Sequence, residues 1–190
     1  MPSVYKTHYN LLYNKLVELS RNIFFYKKIL LKDNFETRIN LIFIHMSIIL
    51  IVFKERKKEF PQEIFDNIFL NIEYHIRELG YGDTTVNKKM KILIRIFYDI
   101  LLKIKKFQNK DFLINKNVLT TYFEPESIDT MQLIDNLRMY FMDFYYFCFE
   151  LKNDNMLKGK INFKYLNKNG CTKTKNNTIK KKHAKISSPR

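Results

Sequence analysis

The sequence predicts an all-α protein, with a single compact multi-helix domain and a disordered basic C-terminal tail. Its 190 residues include only four Gly and four Pro, whereas Leu, Ile, Phe and Lys are abundant. Regularly spaced strand and turn signals are missing, and helical periodicity recurs instead. Two cysteines are too few for a disulfide scaffold or a cysteine-built zinc site. Length and composition therefore favour one helical domain, which we place at residues 1–165.

The first two predicted helices are short. Leu12, Leu16 and Leu19 fall on one face at helical spacing, which predicts a helix over residues 9–19. An aromatic segment follows at residues 23–26 and is expected to form one or two further helical turns.

A nearly continuous apolar stretch over residues 39–53 predicts one long helix at the centre of the domain. Asp33 is a suitable N-cap for it, and the charged cluster at residues 54–59 is expected to continue it as a solvated end. At about 1.5 Å per residue, the apolar stretch is shorter than a bilayer core of about 30 Å. Polar residues such as His45 also interrupt it, so burial in a protein core is favoured over a membrane span.

Two amphipathic helices are predicted on either side of a glycine turn at residues 80–82. Pro61 suits the first turn of the earlier helix, and Gly80 suits its end because glycine tolerates the left-handed conformation. Residues 82–85 are expected to form a tight turn with N-cap oxygens before a helix over residues 86–106. The predicted inward face of the earlier helix contains Ile64, Phe65, Ile68, Ile72, Ile76 and Leu79. The predicted inward face of the later helix contains Met90, Leu93, Phe97, Ile100, Leu101 and Ile104.

Two more helices are predicted before the end of the domain. A short one covers residues 111–123, and the proline-containing segment 124–127 ends it. Ser127 or Asp129 is then expected to cap a long helix that runs to Leu151. Aromatic side chains surround this helix, so it either crosses the core or presents a patch to a partner. We favour burial in the core.

The composition changes near residue 165, where we place the domain boundary after an extended closing segment at residues 158–163. Residues 166–190 contain eight basic and no acidic side chains, so they hold +8 of the net charge of +15. With few large apolar groups, this tail is expected to be disordered. It would attract phosphate on RNA or anionic lipid, and a purely solubilising tail is the alternative. The candidate phosphate or membrane contacts are Lys180, Lys181, Lys182 and Lys185.

No catalytic arrangement is visible in the sequence. The histidines His8, His45, His75 and His183 show no metal-ligand spacing, and no glycine pattern for phosphate or dinucleotide binding occurs. We therefore predict no catalytic residue, metal ligand or cofactor, and expect that the protein is not an enzyme. His45 and His75 lie on predicted helices, where a hydrogen-bonded structural role is common. Cys148 lies in an aromatic run and is expected to be a small core residue.

Charged residues gather around the predicted glycine turn. Arg77 and Glu78 precede it, Asp83 follows it, and the next helix begins with a basic stretch. The candidate client- or partner-binding residues are Arg77, Glu78, Asp83, Lys88, Lys89 and Lys91. The structural alternative is that Arg77 pairs locally, that Asp83 caps a helix, and that the lysines form a solvated face.

The segment around this turn resembles the ubiquinol–cytochrome c chaperone family. The matching positions are Phe65, Asp66, Arg77, Glu78, Gly80, Gly82, Asp83, Val86, Lys88, Lys89, Met90, Lys91, Phe97 and Tyr98. Looser matches are Arg21, Phe25, Tyr26, Arg38, His45, Arg56, Asn117, Val118 and residues 157–163. The resemblance covers roughly residues 10–165 and is most specific between residues 60 and 100. The aromatic helix near residues 140–150 and the lysine tail depart from the family pattern.

The resemblance implies an assembly chaperone for ubiquinol–cytochrome c reductase that binds newly made cytochrome b. Mitochondrial members work at the matrix face of the inner membrane, near the ribosomal exit. The chain starts without secretory-signal or transit-peptide features, so a bacterial member at the cytoplasmic face of the inner membrane is expected. Cytochrome b is the expected client, and a small partner assembly factor, the ribosome and the anionic membrane are further candidate partners.

The alternative function is that of a basic helical protein that binds RNA or the ribosome. It is supported by the net charge of +15 and the lysine tail. Specific DNA binding is not expected, because the helix after the glycine turn has few base-reading side chains near its start.

Overall fold

The computed structural model describes residues 10–106, 112, 114–123 and 130–165. Within these ranges the chain forms eight helices and no strand, which confirms the predicted all-α fold. The helices are α1 (Leu11–Ser20), α2 (Ile23–Lys27), α3 (Phe35–Glu55), α4 (Gln62–Glu78), α5 (Asp83–Lys106), α6 (Lys116–Tyr122), α7 (Thr130–Glu150) and α8 (Asn153–Leu157).

Helix α3 lies at the centre of the fold, packed against α1, α5 and α7. Every residue from Leu41 to Ile49 is buried, which explains why this helix is apolar around its whole circumference. Among the described helices, α3 has the length and hydropathy of a membrane span, but 72% of its 18-residue apolar stretch is buried by the rest of the fold. The prediction of a central buried helix is therefore confirmed.

Asparagine side chains cap the first three helices. The predicted cap of α3 was wrong by one residue, because the Oδ1 of Asn34, not Asp33, accepts the backbone N–H of Thr37 at 2.8 Å. Asp33 instead accepts from the guanidinium of Arg38, with its Oδ1 2.7 Å from Nε, and this bond lowers the pKa of the Asp33 carboxyl. The caps of α1, α2 and α3 are Asn10, Asn22 and Asn34.

Only the first two residues of the charged cluster at residues 54–59 belong to α3, so the cluster does not continue the helix as predicted. The helix ends at Glu55, and Lys57 adopts the left-handed conformation with φ of 53°. Arg56 then turns toward the end of α7, where its guanidinium donates to the Leu151 carbonyl at 2.7 Å. A long-range contact therefore fixes the end of this helix.

Helices α4 and α5 meet at the predicted glycine turn. Gly80 follows the end of α4 with φ of 87°, which confirms its predicted role. Leu79 was predicted to face inward but is 59% exposed, because it lies on the last, uncovered turn. The predicted tight turn at residues 82–85 is also corrected, since α5 already begins at Asp83.

The aromatic helix α7 passes through the core, as predicted. Tyr140, Phe141 and Phe144 have no exposed surface, and the ring centroid of Tyr140 lies 4.7 Å from that of Phe25. The predicted caps of α7 at residues 127 and 129 lie outside the described residues. Helix α6 is shorter than predicted, because Asn115 caps it and it begins only at Lys116.

The closing segment packs against the start of α1. A short helix, α8, precedes it and was not predicted. Gly159 has φ of 65°, and a Cβ at this position would lie 2.4 Å from the carbonyl oxygen of Leu11, so only glycine fits. Phe163 then places its ring 5.3 Å from that of Phe144. The boundary near residue 165 stays a prediction, and the tail lies outside the described residues.

Candidate functional site

The predicted client-binding residues surround the turn between α4 and α5, which we call the charged corner (Arg77, Glu78, Asp83, Lys88, Lys89 and Lys91). Arg77 forms the central ion pairs of this corner. Its guanidinium lies 2.7 Å from the carboxylate of Glu73 and also binds the carboxylate of Asp83. Both bonds raise the pKa of Arg77 above its ordinary value. Arg77 therefore ties the end of α4 to the start of α5, which agrees with local pairing.

The lysines of the charged corner do not converge on one point. Lys88 and Lys91 are exposed, whereas Lys89 is half-buried with its ammonium 4.6 Å from the centre of the Tyr81 ring. Such a cation–π contact holds the turn against α5. Glu78 is also exposed at the end of α4. The charged corner is thus an open, mixed-charge surface, not a pocket.

A cleft of about 460 Å³ opens between α4 and α5, and we call it the α4–α5 cleft. Its apolar side chains come from both helices: Phe65, Phe69 and Leu70 from α4, and Met90, Ile94 and Tyr98 from α5. Phe69 and Met90 are buried, whereas Ile94 is 38% and Tyr98 is 47% exposed. The cleft therefore offers aromatic and aliphatic surface to solvent.

This cleft was not predicted from the sequence, although the sequence contains a signal for it. Met90, Ile94, Tyr98 and Leu102 repeat at intervals of four residues, so they form one row along α5. Of this row, only Met90 was placed on the inward face. When apolar residues extend beyond the buried face of a helix, they indicate a second apolar surface that is only partly covered.

Carboxylates form the charged part of the cleft lining. Asp66 and Glu73 line it together with Asn67, and no basic side chain is among the described residues that do so. Glu73 is paired with Arg77, whereas Asp66 is exposed and accepts from the amide Nε2 of Gln62 at 2.7 Å. The local charge of the cleft is therefore opposite to the net charge of +15.

A second cleft, of about 380 Å³, adjoins the first and shares Asn67 with it. It lies where α1 meets α4, and the Nδ2 of Asn10 donates to the Ile64 carbonyl across it at 3.3 Å. Leu11 contributes exposed apolar surface to this region. The two clefts meet at Asn67 of α4.

The buried titratable groups serve packing. The Nδ1 of His45 donates to the Leu41 carbonyl at 2.6 Å, and burial lowers the pKa of His45 to about 4. Cys148 is fully buried, which confirms its predicted place in the core, and this burial raises the pKa of its thiol. His75 pairs with the Tyr13 hydroxyl at 2.8 Å.

Metal-binding residues do not gather anywhere in the described ranges, where no group of three His, Cys, Asp or Glu side chains could hold an ion. The four tail lysines singled out above, Lys180, Lys181, Lys182 and Lys185, lie outside these ranges.

Comparison with known proteins agrees with the sequence motif. The family model described as ubiquinol-cytochrome C chaperone matches residues 27–163. The crystal structure of the Cbp3 homolog from Brucella abortus is similar with a TM-score of 0.62 and 24% sequence identity, over 82% of this chain and 87% of that chain. At this identity the likeness shows a shared fold. A comparison with curated proteins found no match.

Proposed function

Because the chain belongs to the ubiquinol-cytochrome C chaperone family, we propose that it assists the assembly of ubiquinol–cytochrome c reductase by binding newly made cytochrome b. The observation that carries the proposal is the family match over residues 27–163, which includes the charged corner and the α4–α5 cleft. The fold supplies what such a chaperone needs: a stable helical core with apolar surface left open between two of its helices.

Binding without catalysis agrees with the chemistry of the described residues. Their buried histidine and cysteine side chains are enclosed by the core, and the clefts are lined by apolar and amide groups with a few charged ones. A chaperone needs only differential affinity for its client before and after assembly, and no reactive group.

The proposed location is the cytoplasmic face of a bacterial inner membrane, with the protein bound peripherally. The net charge of +15, of which +8 lies in residues 166–190, supports contact with anionic lipid. Each basic residue near such a surface contributes about 1 kcal/mol of attraction. Lys180, Lys181, Lys182 and Lys185 are the proposed contacts.

Deletion of the gene in its own organism tests the function. We expect loss of assembled reductase and of the cytochrome b haem absorbance, with both restored by the intact gene. Cytochrome b should co-purify with the tagged protein from a detergent-solubilised membrane fraction, and a small partner assembly factor would appear in the same eluate. Normal reductase levels and activity in the deletion strain would contradict the proposal.

RNA or ribosome binding is the second candidate, because half of the excess charge lies in one short segment. We expect that changing Lys180, Lys181, Lys182 and Lys185 to Gln in the full chain removes most RNA affinity and its salt dependence. The same variant should still bind cytochrome b. If it instead kept RNA affinity and lost cytochrome b, RNA binding by the helical domain would be the better account.

A further inference from the structure

We propose that the α4–α5 cleft binds an apolar helical segment that carries a lysine or arginine at its end, with Asp66 as the group that receives the cation. This inference rests on the proposed function, since the segment would belong to the membrane-protein client. Beyond that function, we assign the binding surface on this chain and the chemistry of the client segment that it binds.

A row of apolar side chains runs along α5 at the α4–α5 cleft. Ile94 and Tyr98 are partly exposed beside the buried floor formed by Phe69 and Met90, and Leu102 extends the same row outside the cleft. Single exposed apolar residues are ordinary on protein surfaces, but a continuous row over an open cleft indicates a docking surface. A row at intervals of four residues beside a second helix fits a third helix laid along it.

Two carboxylates, those of Asp66 and Glu73, lie in the lining of the α4–α5 cleft. The protein has 34 basic and 19 acidic side chains, yet Asp66 and Glu73 are the charged groups among the described residues of this cleft. Arg77 already neutralises Glu73 at 2.7 Å. Asp66 is bound by the neutral amide of Gln62 and is exposed, so it retains capacity for a cation.

The apolar floor and the carboxylates of the cleft together indicate the chemistry of the client segment. Membrane-spanning helices are apolar, and their cytoplasmic ends are enriched in Lys and Arg. A basic protein repels such ends over most of its surface, because like charges cost free energy. The α4–α5 cleft pairs an apolar floor with a local negative charge, so it accepts the apolar segment and its basic end together.

Direct binding of a defined peptide tests the inference. The probe is a fluorescent, alanine- and leucine-rich helical peptide of about 18 residues that ends in two lysines, and the control peptide ends in two glutamates instead. We expect the intact protein to bind the lysine peptide about tenfold more tightly than the glutamate peptide. Equal affinities would overturn the role of charge.

Matched variants then place the binding on the cleft. I94D/Y98D should weaken binding of the lysine peptide at least about tenfold, whereas I92D, at a residue 55% exposed on the same helix and outside the cleft lining, should leave it unchanged. D66K should remove the preference for lysine over glutamate, and E59K, an exposed charge in the loop before α4, should keep it. Circular dichroism and the unfolding midpoint verify that each variant folds.

Two outcomes would overturn the inference. Equal loss of binding in I92D and I94D/Y98D would mean that the peptide adheres to apolar surface in general. A dimer of the intact protein that I94D/Y98D converts to monomers would assign the cleft to self-association, and sedimentation measures this.

The inference and the proposed function fail separately. If a strain that carries I94D/Y98D assembles normal reductase while the gene deletion does not, the cleft assignment is wrong and the chaperone function stands. If the deletion strain itself is normal, the function is wrong whatever the peptide shows.

Discussion

His45 and Tyr140 meet in the core between α3 and α7: the Nε2 of His45 lies 3.0 Å from the hydroxyl of Tyr140, and neither side chain is exposed. The Nδ1 of His45 donates to the Leu41 carbonyl, so the neutral ring accepts at Nε2 and Tyr140 donates. The rings of Phe25, Phe141 and Phe144 complete the surroundings of the imidazole. The pair is therefore built for a neutral histidine.

The first prediction concerns acid stability. Burial lowers the pKa of His45 to about 4, against 6.5 for the free side chain, so the unfolded chain binds a proton more readily than the folded one. The contribution of neutral His45 to the free energy of unfolding is fully present above pH 6.5 and is lost as the pH drops toward about 4. Between about pH 7.5 and pH 5, urea unfolding should show a loss of about 2 kcal/mol from this group.

The control for this prediction is H45Q, which keeps a hydrogen-bonding side chain but does not titrate. Its free energy of unfolding at neutral pH should be lower than that of the intact protein. Between about pH 7.5 and pH 5, its loss of stability should be smaller by about 2 kcal/mol. An identical pH dependence in both proteins would show that His45 does not control acid stability.

The second prediction concerns Ser47, whose hydroxyl is buried without a hydrogen-bond partner among the described residues. An unsatisfied buried hydroxyl costs free energy, so S47A should be neutral or should stabilise the protein by up to about 1 kcal/mol. The matched control is S20A, because the Ser20 hydroxyl is equally buried but donates to the Val17 carbonyl at 2.8 Å. S20A should cost about 1 kcal/mol in urea unfolding, and equal effects would contradict the prediction.

The third prediction concerns Arg56, which joins the end of α3 to the end of α7. Its guanidinium donates to the carbonyls of Leu151 and Phe149 and to the side chain of Asn153. R56A should destabilise the protein by about 2 kcal/mol, because these acceptors lose a charged donor. Hydrogen exchange should accelerate at the C-terminal end of α7. The exposed neighbour variant K58A should change stability by less than about 0.5 kcal/mol, and a similar loss there would contradict the assignment.

The fourth prediction compares three glycines. G159A should cost at least about 2 kcal/mol, because the new Cβ combines a left-handed backbone with a 2.4 Å contact to the Leu11 carbonyl oxygen. G80A should cost about 1 kcal/mol, since Gly80 is left-handed but has open space around it. G82A should be neutral or slightly stabilising. Urea unfolding measures the order, and a different order would contradict this account.

The fifth prediction concerns the ion pairs of the charged corner. Arg77 binds Glu73 and Asp83 near the surface, where ion pairs contribute little and are screened by salt. R77Q should lower the unfolding midpoint slightly at low salt, and about 1 M NaCl should remove the difference from the intact protein. A large loss that persists in salt would indicate that Arg77 has a further structural role.

The sequence predicted much of the helical architecture because helical periodicity and turn residues are local. The buried stripe of α5 and the left-handed end of α4 at Gly80 followed from residues within a few turns of each other. The cap at Asn34 was missed because Asp33 is an equally good cap by type, and only the path of the chain distinguishes them. The charged corner was predicted from the charged residues on either side of the glycine turn, but Glu73, the partner of Arg77, emerged only from the side-chain geometry.

By itself, the sequence determined the all-α class, the central place of α3, the burial of the aromatic helix α7 and the family. The tertiary structure decided where α3 ends, which side chains of α4 and α5 stay uncovered, and that an acidic, apolar cleft lies between them. The physical reason is that periodicity within a helix shows which side is apolar. Whether that side is covered depends on helices that are distant in the chain, and the sequence pattern does not specify their packing.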